Sequence, residues 1–443
     1  MVLGKWLRKF NTSVLLLPLL ISAGFGSLVY SHLIPESWQS DSWIAAVCTG
    51  LVLALGFYFF CSGLMKCFPG QGDLPAGPFR ELTGKYPLLF TSLLIVLPVI
   101  LFNLVHVFGP KFLLADDPSG YRTGISSMVR MWLWTDHYIL NAFTETFSWW
   151  MMSHYSPFVV RLLYLLVYLA GISLSVYWIS RRIFNLSPEG AFLAAVLPAV
   201  YPLQFQIIAG INMSYTLLGQ LLSLLAMIAG FCYLTRREHS WLLVILAGGL
   251  FMASTRQMEQ AVFISAAVAF IYLVTSGKVL RKIALILPVL FSSAAVLHRM
   301  LTTPRGAAEI LNIPPDVIIY RFKTFLLYLS PYLAPKHREY AILVVSMLCL
   351  AGLGSFYLWP DLRRRVVELP HFSWLPEKLR LFLLPGFAFL WTVPSILPFM
   401  VMNRHMDART MHLSGYGPWL VMAPGLLFIF SSALSFADHR LRK

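Results

Sequence analysis

The chain has 443 residues, 58% of them hydrophobic and only 12% charged, with a net charge of +15. A soluble domain carries about 25% charged residues, so this composition excludes a soluble globular protein and indicates a polytopic membrane protein. The Lys and Arg residues cluster in alternate short loops, which membrane topology explains better than nucleic-acid binding does.

The opening "MVLGKWLRKFNTS" places basic residues ahead of an apolar core, and no clear A-x-A site follows. It reads as an uncleaved signal-anchor. A helix needs about 20 apolar residues to cross the hydrocarbon. In chain order the candidate spans are 13–33, 43–65, 87–108, 157–179, 189–208, 213–234, 240–255, 258–275, 283–300, 340–359, 381–402 and 416–435, about twelve in all. The seventh and eighth are short, and the polar "STRQMEQ" interrupts them. They are either a broken pair or one bent span. No strand pattern or internal repeat is visible, so residues 1–443 read as a single all-α transmembrane domain.

Basic residues set the orientation. Lys5, Arg8 and Lys9 precede the first span, and Lys66, Arg80 and Lys85 flank the second loop. Arg181 with Arg182, Arg236 with Arg237, the trio Lys278, Arg281 and Lys282, the segment "DLRRRVVELPHFSWLPEKLR" and the tail "DHRLRK" follow. With an even number of spans all fall on one side, the cytoplasm, and both termini lie there. Three segments are then extracytoplasmic: 109–156, 299–339 and 403–417. Cys48, Cys61, Cys67, Cys232 and Cys349 all lie in or beside apolar runs, so no external disulfide framework is indicated.

The first external segment holds "KFLLADDPSGYRTG" and then an aromatic-rich run. In that run Trp132, Trp134, Tyr138, Phe143, Phe147, Trp149 and Trp150 alternate with polar residues. It is too interrupted to span, and predicts one or two amphipathic helices in the outer interface. An ordinary aromatic belt on a loop is the plainer reading. Asp116 and Asp117 are adjacent, so their charges repel and one proton affinity rises unless a cation or donor intervenes. Asp117 before Pro118 also suits a helix N-cap with proline at the first helical position. A carboxylate at the membrane edge is equally suited to act as a general base. The two roles are compatible.

A multi-spanning chain with an acidic motif, here "LLADDPSGY", opening its first large external loop, and with interfacial helices after it, resembles the GT-C superfamily of membrane glycosyltransferases. The likeness is nearest to the polyprenyl-phosphate-sugar-dependent branch, with its protein O-mannosyltransferase-like and lipid A aminoarabinose-transferase-like enzymes. In that family the acidic loop generally follows the first span, whereas here it follows the third. The resemblance implies that Asp116 or Asp117 is the catalytic base toward the acceptor, with Lys111 and Tyr121 beside it as cavity residues. It also implies a lipid-phosphate site in "NRHMDARTMHLSGYG", with Arg409 foremost and Arg404 and His412 supporting. Arg suits that task because its planar, permanently charged fork matches a phosphate. The alternative is that these basic residues merely meet lipid headgroups.

Arg256 and Glu259 are three residues apart within "STRQMEQ", so a helix puts them on one face. They either brace each other or line the donor cavity. The second external segment contains the apolar but proline-broken "YRFKTFLLYLSPYLAP", read as an interfacial or re-entrant cover; Arg299, Arg305, Arg321 and Lys323 either contribute to a phosphate site or, as expected for most of them, form a solvated or headgroup-facing surface. A divalent cation is compatible with the Asp pair, yet His405, Asp407 and His412 fix no ligand set, so no metal site is assigned. No Walker loop, G-x-G-x-x-G, CxxC pair or G-x-S-x-G element occurs, which leaves ATP-driven transport and nucleotide-cofactor chemistry without support.

The expectation is therefore an inner-membrane glycosyltransferase that moves a sugar from a polyprenyl-phosphate donor to a lipid, glycan or protein acceptor outside. The rivals are a lipid-linked saccharide flippase or transporter, an O-antigen polymerase or ligase, and a non-enzymatic scaffold.

Overall fold

The computed structural model describes residues 157–199, 214–236, 240–257, 261–302, 314–329, 338–401 and 415–429, together with isolated positions within 92–103 and 147–154 and at 432. Among the described residues every regular element is helical. The first is α1, a continuous run of Pro157–Leu163, Tyr164–Leu169, Ala170–Trp178 and Ile179–Ile183 in which the second and fourth pieces are wide π-type turns. Then come α2 (Pro188–Val196), α3 (Ser214–Thr235), α4 (Trp241–Gln257), α5 (Ala261–Val274) and α6 (Val279–Thr302). They are followed by α7 (Pro315–Leu329), α8 (Arg338–Leu358), α9 (Pro360–Val367), α10 (Glu377–Leu381), α11 (Leu383–Val401) and α12 (Gly415–Ile429).

Among the described residues three stretches are long and apolar enough to cross a membrane by length and composition: Val159–Ile183, Thr216–Thr235 and Val279–His298. The pair Val345–Leu358 and Pro360–Val367 passes the same test jointly but bends by 73° between them. Four further apolar helices are shorter: Trp241–Arg256, Ala261–Val274, Leu383–Ile396 and Gly415–Ile429. The outward faces are strongly apolar. Leu242 and Ile245 on α4, Leu280 and Phe291 on α6 and Leu350 on α8 are each about two-thirds exposed or more. An aqueous surface would not tolerate so continuous an apolar cover, and a bilayer would.

Ring and hydrogen-bond contacts fix the helix directions. Gly171 of α1 faces Leu221 of α3, and the Trp178 and Phe231 rings meet further along at 6.0 Å, so α1 and α3 run parallel. Ser223 pairs with Ser254 and Tyr233 lies beside Trp241, so α3 and α4 form an antiparallel hairpin. Tyr272 donates to the Ala226 carbonyl at 2.7 Å, and its ring fills the space above Gly230, which docks α5 on α3. The helices α8 and α12 cross at Gly352 and Gly425. On α11 Phe387 meets Trp391 edge-to-face, and Trp391 stacks on Tyr416 of α12.

The turns after α1, α3 and α5 and the whole segment between α8 and α11 gather at one end. The Asn185 amide donates to the Arg365 carbonyl, the Ser276 backbone to His371, and the Trp374 indole to Val274. Local chemistry builds this layer. Ser187 caps α2 by accepting from Gly190 at 3.1 Å, with Pro188 at the first helical position and Glu189 in the first turn. Asn185 takes the left-handed conformation that turns the chain, with φ at 51°. Arg380 donates to the carbonyls of Leu375, Val367 and Ser373 and so ties α10 to α9. The exposed Arg363–Glu377 pair at 3.1 Å adds at most about 1 kcal/mol.

The layer is basic, holding Arg181, Arg182, Arg236, Lys278, Arg281, Lys282, Arg363, Arg364, Arg365, Lys378 and Arg380. The clustering expected from the loops is therefore a spatial fact for this part of the chain. The structure also describes the short seventh and eighth apolar runs, as the separate helices α4 and α5. Trp241 at the start of α4 lies beside Tyr233, and Val274 at the end of α5 accepts from Trp374, so both ends are in the basic layer. The pair is a hairpin rather than one bent span.

Candidate functional site

The described helices that flank the three candidate external segments end opposite the basic layer. The helix α1, which follows 109–156, begins at that far end and delivers Arg181 and Arg182 to the basic layer. The helix α6 leaves the basic layer at Val279 and ends at Thr302, and α8 starts at Arg338 and returns to it, so 299–339 is anchored at the far end on both sides. The helix α11 likewise runs out to Val401, and α12 returns to bring Phe428 against Trp359. Within the second segment α7 packs through Phe325 on Val345, Ile396, Trp419 and Met422, and presents Ile319, Tyr320 and Phe322 outward. Of this 15-residue helix Phe325 is buried, while the proline-broken stretch that follows it lies outside the described residues.

Arg161 stands at this far end, near the start of α1. Its side chain is only 4% exposed. Twenty residues of helix separate it from Arg181, about 30 Å, which is the thickness of the hydrocarbon. A guanidinium stays charged at any ordinary pH, so burying it there requires charged or hydrogen-bonding groups around it.

Below the far end a polar seam enters the bundle. Thr216, Gln220 and Ser223 of α3, Ser254 and Thr255 of α4 and Ser292 and Ser293 of α6 are all buried. Ser223 and Ser254 share a hydrogen bond, Ser254 donates to the Gly219 carbonyl at 2.6 Å, and Thr255 bonds Ser292. Neither amide atom of Gln220 has a hydrogen-bond partner although the side chain is fully buried. Such an unsatisfied group costs about 1–3 kcal/mol unless something polar is supplied to it. Arg256 is in the last turn of α4, two residues beyond Ser254, and is exposed.

A second polar tie lies near the same end. The Asn103 amide donates to Val99 and Ala199 at 2.8 Å each, joining the third apolar run to the chain beyond α2. In the aromatic run Phe147, Trp150, Met151 and His154 are helical, and Phe147 and Trp150 are exposed with their rings stacked. The rest of the aromatic run lies outside the described residues.

Of the site residues expected from sequence, Arg256 is the one the structure describes. Asp116, Asp117, Lys111, Tyr121, Glu259, Arg404, Arg409 and His412 lie outside the described residues. Arg161 and Gln220 were not foreseen. The signal for Arg161 was a lone cation inside "PFVVRLLYLLVYLA", and for Gln220 a lone amide inside "SYTLLGQLLSLLAM". Among the described residues no three His, Cys, Asp or Glu side chains gather so as to hold a metal ion. No known protein family, curated protein or solved structure matches the chain.

Proposed function

We propose that the protein is a membrane glycosyltransferase that moves a sugar from a polyprenyl-phosphate carrier to an acceptor at the extracytoplasmic face, the end opposite the basic layer. The observation that supports this most is that the described helices next to 109–156, 299–339 and 403–417 all end at one end of an apolar bundle. A lipid-borne donor and a water-borne acceptor meet only at such an edge. In this reading Asp116 takes the proton from the acceptor's hydroxyl or amine. The freed electron pair attacks the anomeric carbon, the bond from that carbon to the phosphate oxygen breaks, and the pair leaves on the lipid phosphate. Arg409, with Arg404 and His412, holds that phosphate by a planar charge-assisted fork. Arg161 adds a fixed positive field at the same face, where a departing anion gains most from a site shielded from water.

The test is reconstitution of the purified protein in proteoliposomes with a radiolabelled polyprenyl-phosphate sugar. Time-dependent loss of label from the lipid, dependent on Asp116, supports transfer. Single cysteines at positions in 109–156, 299–339 and 403–417 are to react with an impermeant thiol reagent outside, and a cysteine at Ser276 only from within.

The unsatisfied Gln220 amide in the middle of the bundle favours a second reading, a lipid-linked saccharide flippase with a polar path for the sugar. A flippase moves label between leaflets without breaking the sugar–phosphate bond, so the same assay separates the two.

A further inference from the structure

The basic layer is tied together by hydrogen bonds between distant parts of the chain. Residues 278–282 and 360–381 carry eight Lys or Arg and three Asp or Glu. The helix α9 lies across the direction of α8 because of the 73° bend between them. Its apolar side chains are already used: Leu362 and Val366 are buried with Leu369 and Phe372 in the main core. Arg363, Arg364 and Arg365 are therefore turned away from the bundle and exposed. Arg363 is held by Glu377, while the guanidinium groups of Arg364 and Arg365 have no protein partner among the described residues.

Apolar side chains surround this charge at the same level. Trp374, Leu379 and Phe382 are each a little over half exposed, and Leu358 at the bend is 68% exposed. The Lys282 ammonium lies 4.8 Å above the Trp374 ring and donates to the Leu273 carbonyl, while the Trp374 indole donates to Val274. These bonds fix an aromatic ring and a cation together at the rim of a lipid-facing bundle. A surface that binds a water-borne acidic partner has no use for four exposed apolar side chains among its cations. The headgroup level of a bilayer accepts both, because rings and stems enter the acyl boundary while charges meet phosphate.

We propose that this layer is a docking surface for anionic phospholipid headgroups, with Arg363, Arg364 and Arg365 supplying the phosphate contacts and Trp374 and Phe382 the apolar anchor. The proposal does not depend on the glycosyltransferase reading.

The experiment uses the purified full-length chain in a neutral detergent with equal amounts of phosphatidylglycerol and phosphatidylcholine of identical acyl chains, and counts retained lipids by native mass spectrometry. Wild type is expected to retain phosphatidylglycerol over phosphatidylcholine by about fivefold or more, as several cations acting together would give. The Arg363→Gln, Arg364→Gln, Arg365→Gln triple variant is expected to lose most of that preference, and Lys323→Gln near the opposite end to keep it. Arg364→Gln and Arg365→Gln singly remove no protein contact, so each serves if the triple variant misfolds, and each is expected to lower the preference partway. No preference in wild type, an undiminished preference in the single or triple variants, or displacement of phosphatidylglycerol by a short RNA would overturn the proposal.

Discussion

Ser223 and Ser254 meet 2.5 Å apart inside the α3/α4 hairpin, where Ser254 also donates to the Gly219 carbonyl. Ser254 thus accepts from Ser223 and passes the polarity on to the backbone one step from Gln220. In a lipid-facing bundle such side-chain bonds join helices that apolar contact alone would not distinguish. Their average worth is modest, about 0.6 kcal/mol with a ceiling near 1.7. Ser223→Ala, Ser254→Ala and the double variant, compared by thermal unfolding in detergent, are expected to give a coupling within that range. Strict additivity would mean that the two hydroxyls do not interact.

Gln220 makes the opposite prediction. Its buried amide has no partner, so Gln220→Leu relieves the burial cost and is expected to raise the melting temperature. If the amide serves a substrate or an internal water, transfer falls in the same variant. A variant that is both less stable and fully active would contradict both parts of the argument.

The crossing of α8 and α12 depends on two glycines. A Cβ at Gly352 would sit 2.2 Å from the Val421 carbonyl oxygen, and one at Gly425 2.4 Å from the Gly352 nitrogen. The obstacles are backbone atoms, which cannot rotate away. Gly352→Ala or Gly425→Ala is expected to cost about 1–3 kcal/mol or more, seen as a lower melting temperature. Gly249→Ala meets nothing within 4 Å and is expected to be neutral to slightly stabilising.

Apolar run length made most helices legible in the sequence. The run 213–234 becomes Ser214–Thr235, and 283–300 lies within Val279–Thr302. Length does not say which way a short run travels. The direction of α4 and α5 is set by Tyr233 beside Trp241 and by Trp374 reaching Val274, contacts between distant parts of the chain. Hydropathy averaging also conceals single polar residues. Arg161 and Gln220 disappear into their leucine-rich neighbourhoods, although a lone intramembrane polar group is itself a signal. The close approach of Gly352 to Gly425 joins residues 73 apart in sequence, and nothing local announces it. A cation in "STRQMEQ" marks Arg256 in the sequence, and the structure leaves it exposed in the last turn of α4, while Glu259 lies outside the described residues.

The basic layer has a pH dependence with a definite sign. Burial against the Phe231 ring, 5.2 Å away, lowers the His371 pKa below its ordinary value near 6.5. The folded state therefore prefers neutral imidazole, and its contribution is fully present above that value. It is lost as pH falls through the lowered folded pKa, because the unfolded chain binds the proton more readily. Wild type is expected to lose thermal stability between pH 7 and pH 5 by more than His371→Phe does. Other histidines cancel in this comparison. Parallel pH profiles would show that His371 contributes nothing to the dependence.

The final prediction separates the two roles open to the Asp116–Asp117 pair. Asn caps a helix about as well as Asp, so an Asp→Asn change preserves the cap and costs little stability. Asn cannot accept a proton as a general base, so the same change at a catalytic position lowers the rate by about 100-fold or more. Asp117 directly precedes Pro118 and suits the cap better, so in the proposed function Asp116 is the base. Asp116→Asn is expected to express and melt like wild type while sugar release from the lipid donor collapses. Asp117→Asn is expected to stay near wild type in stability and to lose less activity than Asp116→Asn. The readouts are the melting temperature and the initial rate of label transfer in proteoliposomes. Full transfer by both Asn variants would leave the pair with capping alone, and the base would have to be sought among other residues at the same end of the bundle.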